Sequence, residues 1–328
     1  MRVLIVGCGN IAGGFDERRP ADALPLSHAG AYRRDGRFDI VGCIEPDAGR
    51  RAAFQAHWGI PHGYADFSAV PPSVTADIIA ICAPTAFRSA HLEAAIARSP
   101  RLIFCEKPIA PTLHEARLWV ERCAEAGIPL AINHTRRWAP DVARLRDELR
   151  QQYWGEIRSV TGTYNKGILN NGSHLVDAIR LLLDCTLEIE AVGAPQWDFW
   201  PDDPTVPALL RTDSGIPVHL TTAHAGDYAL FELQLVTSAG VLVMEDGGLR
   251  WRIRRAGDSA HFAGYKALLA AEQVDGRYME AMLHAAANLH DAVHHGAPLA
   301  CTGASALVTQ ALCDDIREMA TGRRKAAD

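Results

Sequence analysis

The chain has 328 residues, more than one hydrophobic core comfortably supports, so its length predicts two domains. Hydrophobic residues make up 48% and charged residues 22%, which is typical of a globular protein and excludes a mainly disordered, collagenous or coiled-coil chain. There are 33 Lys and Arg against 39 Asp and Glu, and the formal charge of -6 argues against nucleic acid as the main ligand.

No membrane span or leader peptide is recognisable. The strongest apolar stretch, 228–244, is interrupted by polar residues and a glycine, and the N-terminus lacks the charged start and cleavage site of a secretory signal. The eight cysteines are scattered without a C-x-x-C, so we expect small core residues and neither disulfides nor a zinc site. These features predict a cytoplasmic protein.

Residues 1–135 alternate short apolar runs with helical patterns. Candidate strands are 3–6, 40–44, 78–82, 102–105 and 130–132, and candidate helices are 87–98 and 112–126. The second helix opens with a capping box, Thr112 and Glu115, and closes at Gly127. Nearly continuous apolar runs are typical of strands buried on both faces of a sheet, so this part is predicted to be a doubly wound, parallel Rossmann domain.

From residue 136 to 328 the pattern changes. A helix at 140–152 precedes longer strands of period two at 157–164, 217–223, 230–237, 241–245 and 249–254, and helices at 279–295 and 304–319 end the chain. Glycine turns join several of the strands. The fold class predicted for the whole chain is therefore α/β, with a C-terminal α+β domain built on a largely antiparallel open sheet.

A glycine-rich loop, G-x-G-x-x-A at 7–12, follows the first strand. Bare backbone there can approach a pyrophosphate. The dinucleotide contacts predicted for this loop are Gly7, Gly9, Asn10 and Ile11. The second strand ends in Glu45, a carboxylate placed for an adenosine ribose, which favours NAD over NADP. The alternative is that Glu45 only caps the helix that follows it.

Glu45 lies 38 residues after Gly7, well beyond the spacing of about 20 in the compact motif, which indicates an insertion. Two glycines weaken the first helix, the polar stretch 15–25 contains two prolines, and helical character resumes near Ser27. One hypothesis is a loop that reaches over the cofactor or toward the substrate. The alternative is a surface excursion without a role.

The fourth strand ends in Glu106-Lys107-Pro108, at the carboxyl edge of the sheet where ligands of such folds bind. With the glycine loop, Ala83-Pro84-Thr85 followed by His91, Asn133 after a strand, and Arg136-Arg137-Trp138, the chain resembles the Gfo/Idh/MocA oxidoreductases. The resemblance covers the N-terminal domain and reaches into the second.

The resemblance implies that Ala83, Pro84, Glu106 and Lys107 contact the cofactor, with Lys107 beside the nicotinamide and the substrate hydroxyl. It also implies acid-base groups in a D-x-x-x-H segment that opens a helix. Here His174 matches the histidine and Asp177 the acidic residue three positions later, but Asn170 replaces the usual aspartate. Asparagine cannot exchange a proton, which concentrates proton transfer on His174 and Lys107.

Imidazole, with an ordinary pKa of about 6.5, can accept a hydroxyl proton at cellular pH, whereas lysine, at about 10.4, normally cannot. His174 is therefore predicted to be the base and Lys107 the cation that steadies the alkoxide, with reversed roles left open. Asp177 shares a helical face with His174 and is expected to orient its ring or to hold a substrate hydroxyl. Ser173 is expected to cap this helix.

Further candidate substrate contacts are Arg137, Trp138, Lys166 and Asn170. Arg137 suits a phosphate or carboxylate and Trp138 the face of a sugar, with purely structural roles as the alternative for both. Lys166, shortly before Asn170, is a candidate contact for substrate anions. Specificity is expected from Tyr164, Lys166 and the 197–200 stretch. No metal is predicted, because His290 and His294 lack recognisable further ligands.

The function indicated is NAD-dependent oxidation of a secondary hydroxyl of a sugar, nucleotide-linked sugar or cyclitol. The resemblance implies a homodimer or homotetramer. Two alternatives stay open: a glycosidase of the same fold that retains NAD, and a non-catalytic dinucleotide-binding regulatory protein.

Overall fold

Residues 1–20 and 22–322 are described by a computed structural model. One compact unit comprises Met1–Trp138 with Met279–Val308, and the other comprises Ala139–Tyr278 with the described residues from Thr309 to 322. The predicted division after residue 135 lies close to the first break, but it does not include the return of Met279–Val308 to the first unit. Which unit binds cofactor and which binds substrate stays a prediction.

The first unit contains a sheet of six parallel strands, namely β1 (Arg2–Val6), β2 (Asp39–Ile44), β3 (Gly63–Tyr64), β4 (Ile78–Ile81), β5 (Leu102–Cys105) and β6 (Leu130–Ile132). Their order is β3-β2-β1-β4-β5-β6. The strand order reverses between β1 and β4, which is the switch point of a doubly wound fold. The predicted Rossmann sheet is confirmed, and only the two-residue strand β3 was absent from the prediction.

Four helices follow strands of this sheet: α1 (His28–Asp35), α2 (Ala48–Trp58), α3 (Arg88–Ala97) and α4 (Leu113–Glu125). Thr112 caps α4, and its hydroxyl accepts a hydrogen bond from the Glu115 N–H at 3.2 Å, as the capping box predicts. Helix α1 begins where helical character was predicted to resume, with Ser27 as its cap.

The second unit contains α5 (Pro140–Arg150), β7 (Ile157–Tyr164), α6 (Ser173–Leu183), β8 (Leu187–Val192), β9 (Ala208–Thr212), β10 (Pro217–Thr222), β11 (Phe231–Thr237), β12 (Gly240–Glu245), β13 (Arg250–Asp258), β14 (Lys266–Leu268) and β15 (Glu272–Asp275). The sheet order is β14-β13-β12-β11-β7-β10-β9-β8, and β15 pairs with β13. Among the pairings described for this second sheet, only that of β7 with β10 is parallel. A largely antiparallel sheet is thus confirmed, with one parallel pair as a correction.

Two helices complete the described chain, α7 (Ala281–His295) and α8 (Gly303–Thr321). No helix among the described residues is both long and apolar enough to cross a membrane. All eight cysteines are free thiols, and seven are buried, in line with their expected role as core residues.

Helix α6 packs closely on the second sheet because β7 has a glycine beneath it. A Cβ added at Gly162 would lie 2.5 Å from the Leu175 Cδ2 atom, and the Leu175 side chain is fully buried. The small residue lets the helix approach the strand, and this contact places the helix that carries His174.

Leu175→Ala is expected to lower the free energy of unfolding by about 2–5 kcal/mol, because it removes buried methyl groups and leaves a cavity. Leu209, in β9, is 44% exposed and provides the matched control, for which Leu209→Ala is expected to stay within about 0.5 kcal/mol. Urea denaturation followed by circular dichroism measures both. Equal losses for the two variants would contradict this packing.

Candidate functional site

Both the backbone conformation at position 7 and the atoms around it require glycine as the first residue of the loop. Gly7 has φ +88°, and a Cβ added there would lie 2.8 Å from the Ala83 nitrogen at the end of β4. Its N–H donates to the Ile44 carbonyl at 2.7 Å. The loop therefore lies against the carboxyl ends of both strands that flank β1.

The next residues leave backbone accessible to a ligand. A Cβ added at Gly9 would meet no atom within 4 Å. The following segment is a five-residue π-helical turn, Asn10–Gly14, instead of a long helix. It packs on α2 at Gly13, where an added Cβ would lie 2.6 Å from the Phe54 Cε2 atom and would also clash with Trp58.

Glu45 lies at the end of β2 with its side chain turned to the glycine loop. It is 5% exposed, and its carboxylate accepts hydrogen bonds from the Cys8 N–H at 3.1 Å and the Asp47 N–H at 3.2 Å. The cap of α2 is Asp47, which accepts from the Arg50 N–H at 2.7 Å. The alternative role of Glu45 as the helix cap is therefore wrong. Open backbone and an adjacent carboxylate suit a pyrophosphate and a ribose, so these residues fit a dinucleotide.

The predicted insertion contains no helix or strand among its described residues, and Asp16 closes its base. The Asp16 carboxylate accepts from the Leu26 N–H at 2.9 Å, the Ser27 N–H at 2.9 Å and the Ser27 hydroxyl at 2.5 Å. These bonds fix the residues that begin α1. Whether the insertion reaches the cofactor or substrate stays a hypothesis.

The Glu106 carboxylate lies within a buried polar network. His28 Nε2 lies 2.9 Å from Glu106 Oε1, and Asn133 Nδ2 donates to the same oxygen at 2.7 Å. Burial raises the pKa of Glu106, but the bonds from His28 and Asn133 and the charge of Arg88 outweigh it and hold the pKa below its ordinary value. Glu106 is therefore ionised at neutral pH.

Arg88 fixes the other side of the lysine segment. Its guanidinium is buried, donates to the Ala83 carbonyl at 3.0 Å and also donates to the Pro108 carbonyl. The Lys107–Pro108 peptide bond is cis. Lys107, half-buried, is thus held between an anchored carboxylate and an anchored carbonyl, at the carboxyl edge predicted for it. His28 and Arg88 were absent from the predicted site, since neither belongs to a recognisable motif.

Arg137 and Trp138 make contacts that favour their structural alternatives. Arg137 donates to the Ala300 carbonyl at 3.1 Å. Trp138 is buried, its indole N–H donates to the Asn288 side chain at 3.0 Å, and its ring packs edge-on against Phe104. Neither contact requires a ligand, and the substrate roles of both residues stay predictions.

In the second unit, a loop supplies hydrogen-bond acceptors to five consecutive N–H groups, those of residues 166–170. We call this loop, residues 196–205, the strap. Its acceptors are Asp198 Oδ2 for Lys166 at 3.2 Å, Thr205 Oγ1 for Gly167 at 2.8 Å, the Pro204 carbonyl for Ile168 at 2.9 Å, Asp203 Oδ1 for Leu169 at 2.9 Å and Asp203 Oδ2 for Asn170 at 2.8 Å. The strap therefore fixes the backbone that leads into α6.

His174 lies half-buried in the first turn of α6. Ser173 does not cap this helix as expected, because its hydroxyl donates back to the Leu169 carbonyl at 2.7 Å and the Asn170 carbonyl at 3.0 Å. Asp177 is 1% exposed, and its carboxylate accepts from the Thr309 hydroxyl at 3.2 Å. This carboxylate links α6 to α8 inside the unit. Lys107 belongs to the first unit and His174 to the second.

Tyr164 and Lys166 differ in their surroundings. The expectation that Tyr164 reaches substrate is wrong, because it is fully buried and its hydroxyl donates to the Val206 carbonyl at 2.7 Å. Burial also raises the pKa of Tyr164. The Lys166 ammonium, in contrast, lies 5.1 Å from the centre of the exposed Phe199 ring.

One side-chain group among the described residues has the spacing of metal ligands: His290, Asp291 and His295, whose ligand atoms lie within 4.8 Å of one another. Asp291 is a third candidate ligand that sequence analysis lacked. The Arg37 guanidinium lies 3.0 Å from His290 Nδ1 and 3.6 Å from Asp291 Oδ1. Because a cation already neighbours both groups, we propose no metal there.

Comparison with known families identifies the first unit. Residues 1–134 match the model of the Gfo/Idh/MocA family, described as an oxidoreductase family with an NAD-binding Rossmann fold. The N-terminal part of the chain therefore matches the NAD-binding domain of the Gfo/Idh/MocA oxidoreductases. The resemblance found in the glycine loop and in the Glu-Lys-Pro segment is thus confirmed.

Two relatives to which the chain is similar are sugar dehydrogenases. It is 28% identical over 234 residues to a D-apiose dehydrogenase of Paraburkholderia graminis, which covers 65% of this chain and 62% of the relative. It is 24% identical over 201 residues to a D-glucoside 3-dehydrogenase of Escherichia coli, covering 58% of this chain and 54% of the relative. The chain thus spans less than two thirds of the length of either relative.

Solved structures share the whole fold. An oxidoreductase from Agrobacterium radiobacter, in complex with NAD+, L-tartaric acid and magnesium, has a TM-score of 0.74 at 18% identity, over 99% of this chain and 97% of that one. A UDP-N-acetylglucosamine 3-dehydrogenase from Acidithiobacillus ferrooxidans has a TM-score of 0.73 at 17% identity, over 98% of both chains. At these identities the likeness shows the fold alone.

Two glycine variants separate cofactor binding from folding. Gly13→Ala is expected to cost about 1–3 kcal/mol of unfolding free energy, because the new methyl group clashes with Phe54 and Trp58. Gly9→Ala is expected to retain stability and to weaken NAD binding, because its methyl group enters the open side of the loop. Urea denaturation and NAD calorimetry measure the two effects. Unchanged NAD affinity in Gly9→Ala would contradict this placement of the cofactor.

The depressed pKa of Glu106 predicts a pH-dependent contribution to stability. Glu106→Gln is expected to cost about 1.5–3 kcal/mol at neutral pH, where charge-assisted hydrogen bonds are lost. A lowered carboxyl pKa stabilises the fold above its ordinary value and the benefit disappears as the pH falls through the folded-state value. The cost is therefore expected to shrink below about pH 4.5.

Chemical denaturation of the parent and Glu106→Gln between neutral and acidic pH measures this difference. The exposed residue Glu121 provides a control, because Glu121→Gln is expected to show little change in stability at any of these pH values. A cost for Glu106→Gln that stays constant with pH would show that the carboxyl does not have a lowered pKa.

Proposed function

We propose that the protein is an NAD-dependent dehydrogenase that oxidises a secondary hydroxyl group of a sugar, nucleotide-linked sugar or cyclitol. The observation that carries the proposal is the anchored segment around Lys107, held by Glu106 on one side and by the Arg88 bond to Pro108 on the other. A binding module does not need a rigidly held lysine at the ligand edge of its sheet. The sugar dehydrogenases among the relatives support the substrate class.

The preference for NAD over NADP rests on Glu45. Its buried carboxylate accepts hydrogen bonds from two backbone N–H groups, which keeps it beside the glycine loop. A carboxylate there can accept hydrogen bonds from a ribose 2′-hydroxyl and repels a 2′-phosphate. Arg50 Nη1 lies 3.5 Å from Glu45 Oε1, but the Arg50 side chain is mainly exposed. We therefore attribute the preference for NAD to the Glu45 carboxylate.

In the proposed mechanism, Gly7, Gly9, Asn10 and Ile11, with Ala83 and Pro84, would hold NAD. Bound NAD would accept the hydride that leaves the carbon atom of the substrate's secondary alcohol. His174 accepts the proton of the substrate hydroxyl through its imidazole ring. Lys107 places its ammonium group beside the same oxygen and stabilises the developing alkoxide charge. Both groups act at one hydroxyl.

The neighbouring residues support these two groups. Glu106 and His28 hold the backbone at Lys107, and Asp177 holds α6 in place through Thr309. Asn170 and Lys166 remain candidate contacts for substrate hydroxyls, since their backbones are fixed by the strap. We further infer assembly as a homodimer or homotetramer, which sedimentation measurements test.

The test begins with calorimetric titration of NAD and NADP into protein freed of any copurified dinucleotide. NAD is expected to bind more tightly. Sugars and cyclitols are then screened by NADH absorbance. If neither dinucleotide binds or copurifies, the dehydrogenase function is excluded, and tighter NADP binding would exclude the role given to Glu45.

His174→Ala and Lys107→Met are expected to lower kcat by about 10²–10⁴-fold, the usual contribution of a positioned acid-base group. NAD affinity is expected to be retained in His174→Ala. His261→Ala, at an exposed position in the same unit as His174, is the control and is expected to keep kcat. If kcat is unchanged in both His174→Ala and Lys107→Met, the mechanism is contradicted. NAD binding without any turnover indicates a regulatory protein, and release of an aglycone without net NADH indicates a glycosidase.

A further inference from the structure

The strap has two chemically different sides. Its polar groups Asp198, Asp203 and Thr205 face the backbone of residues 166–170. Its aromatic side chains are exposed instead: Trp197 by 57%, Phe199 by 52% and Trp200 by 44%. Gln196 and Thr205 exchange two backbone hydrogen bonds of 2.8 Å that close the loop. The aromatic rings are therefore carried on a fixed backbone and not on a loose connection.

Two of these rings form a defined surface with a cation. Phe199 and Trp200 pack edge to face, with ring centres 4.9 Å apart and an angle of 79° between their planes. The Lys166 ammonium lies 5.1 Å from the centre of the Phe199 ring. We call Lys166, Phe199 and Trp200 the aromatic ledge. It combines flat apolar faces with a strong hydrogen-bond donor.

The composition of the ledge indicates what it binds. Aromatic faces pack against other rings, and a lysine ammonium donates hydrogen bonds to hydroxyl oxygens. The strap itself carries three carboxylates, Asp198, Asp202 and Asp203, and no Lys or Arg. A surplus of negative charge disfavours a phosphate or another anion. A neutral ring that carries oxygen atoms fits best.

We propose that the aromatic ledge binds the ring attached to the reacting sugar, so that the preferred substrates are neutral glycosides with a sugar or aryl aglycone. The strap connects the two roles, because it presents the ledge and also fixes residues 166–170, which lead directly into the helix of His174. This inference rests on the proposed function. Trp200 and Phe199 then act as specificity residues.

The kinetic test compares methyl and phenyl β-glycosides of D-glucose, D-xylose and D-galactose, together with the free sugars and UDP-glucose. The ratio of kcat/KM for the phenyl over the methyl glycoside isolates the second ring, because the reacting sugar is the same. We expect a ratio of about 3–10, the contribution of one aromatic contact. Phe199→Ala and Trp200→Ala are expected to bring it close to one, and Trp200→Phe to retain part of it.

The control is Phe262→Ala, because Phe262 is also an exposed aromatic residue of this unit, in the turn before β14. It is expected to keep the parental ratio. Three results would overturn the proposal: a ratio unchanged in both ledge variants, oxidation of free sugars alone, or a preference for UDP-glucose that Phe199→Ala abolishes. The last result would show that the ledge binds a nucleotide.

A binding measurement separates failure of this inference from failure of the proposed function. Saturation-transfer NMR with phenyl β-D-glucoside requires no turnover. We expect saturation transfer to the phenyl protons in the parent protein and in Phe262→Ala, and its loss in Phe199→Ala. This result supports binding of the phenyl ring at the ledge even if no sugar is oxidised. Absence of transfer in the parent protein overturns the ledge, whatever the dehydrogenase assays show.

Discussion

A largely enclosed carboxylate, that of Glu106 with 12% of its side chain exposed, is the constraint on which the first unit's site depends. An ionised group at such depth is tolerated only when hydrogen bonds replace the water that it has lost. Two partners from different parts of the chain do so: His28 at the start of α1 and Asn133 after β6. Because both must reach one oxygen, the ends of these elements are fixed relative to the segment of Lys107. The hydrogen bonds of this one carboxylate thus fix the start of α1 and the end of β6 beside Lys107.

In the second unit the groups that need hydrogen-bond partners are backbone N–H donors, and carboxylates supply the acceptors. The segment before α6 is a π-helical turn, Gly167–Gly172, and the first N–H groups of a helical turn have no acceptor within it. Asp198 and Asp203 provide acceptors from the strap. These carboxylates accept hydrogen bonds that fix the backbone, and Asp177 also accepts one, from the Thr309 hydroxyl.

Sequence patterns predicted most of the fold, because the strands of the first sheet are continuous apolar runs. The strand at 102–105 coincides with its prediction, whereas the short strands β14 and β15, which carry exposed residues, gave no periodic signal. The glycine loop was recognisable because its chemistry is local. The contact of His28 with Glu106 joins residues 78 positions apart, and no local pattern encodes it. For Tyr164, the position along the chain was readable, but the direction of its side chain was not.

The hydrogen bonds of Asp16 have a consequence for how this chain tolerates change in length. Both ends of the insertion meet at one carboxylate, which binds the backbone of Leu26 and Ser27 directly before His28. The entropic cost of closing a loop depends only weakly on the number of residues that it encloses. Residues can therefore be added or removed beyond Asp16 without moving the histidine that holds Glu106. Asp16 thereby separates the position of His28 from the length of the excursion.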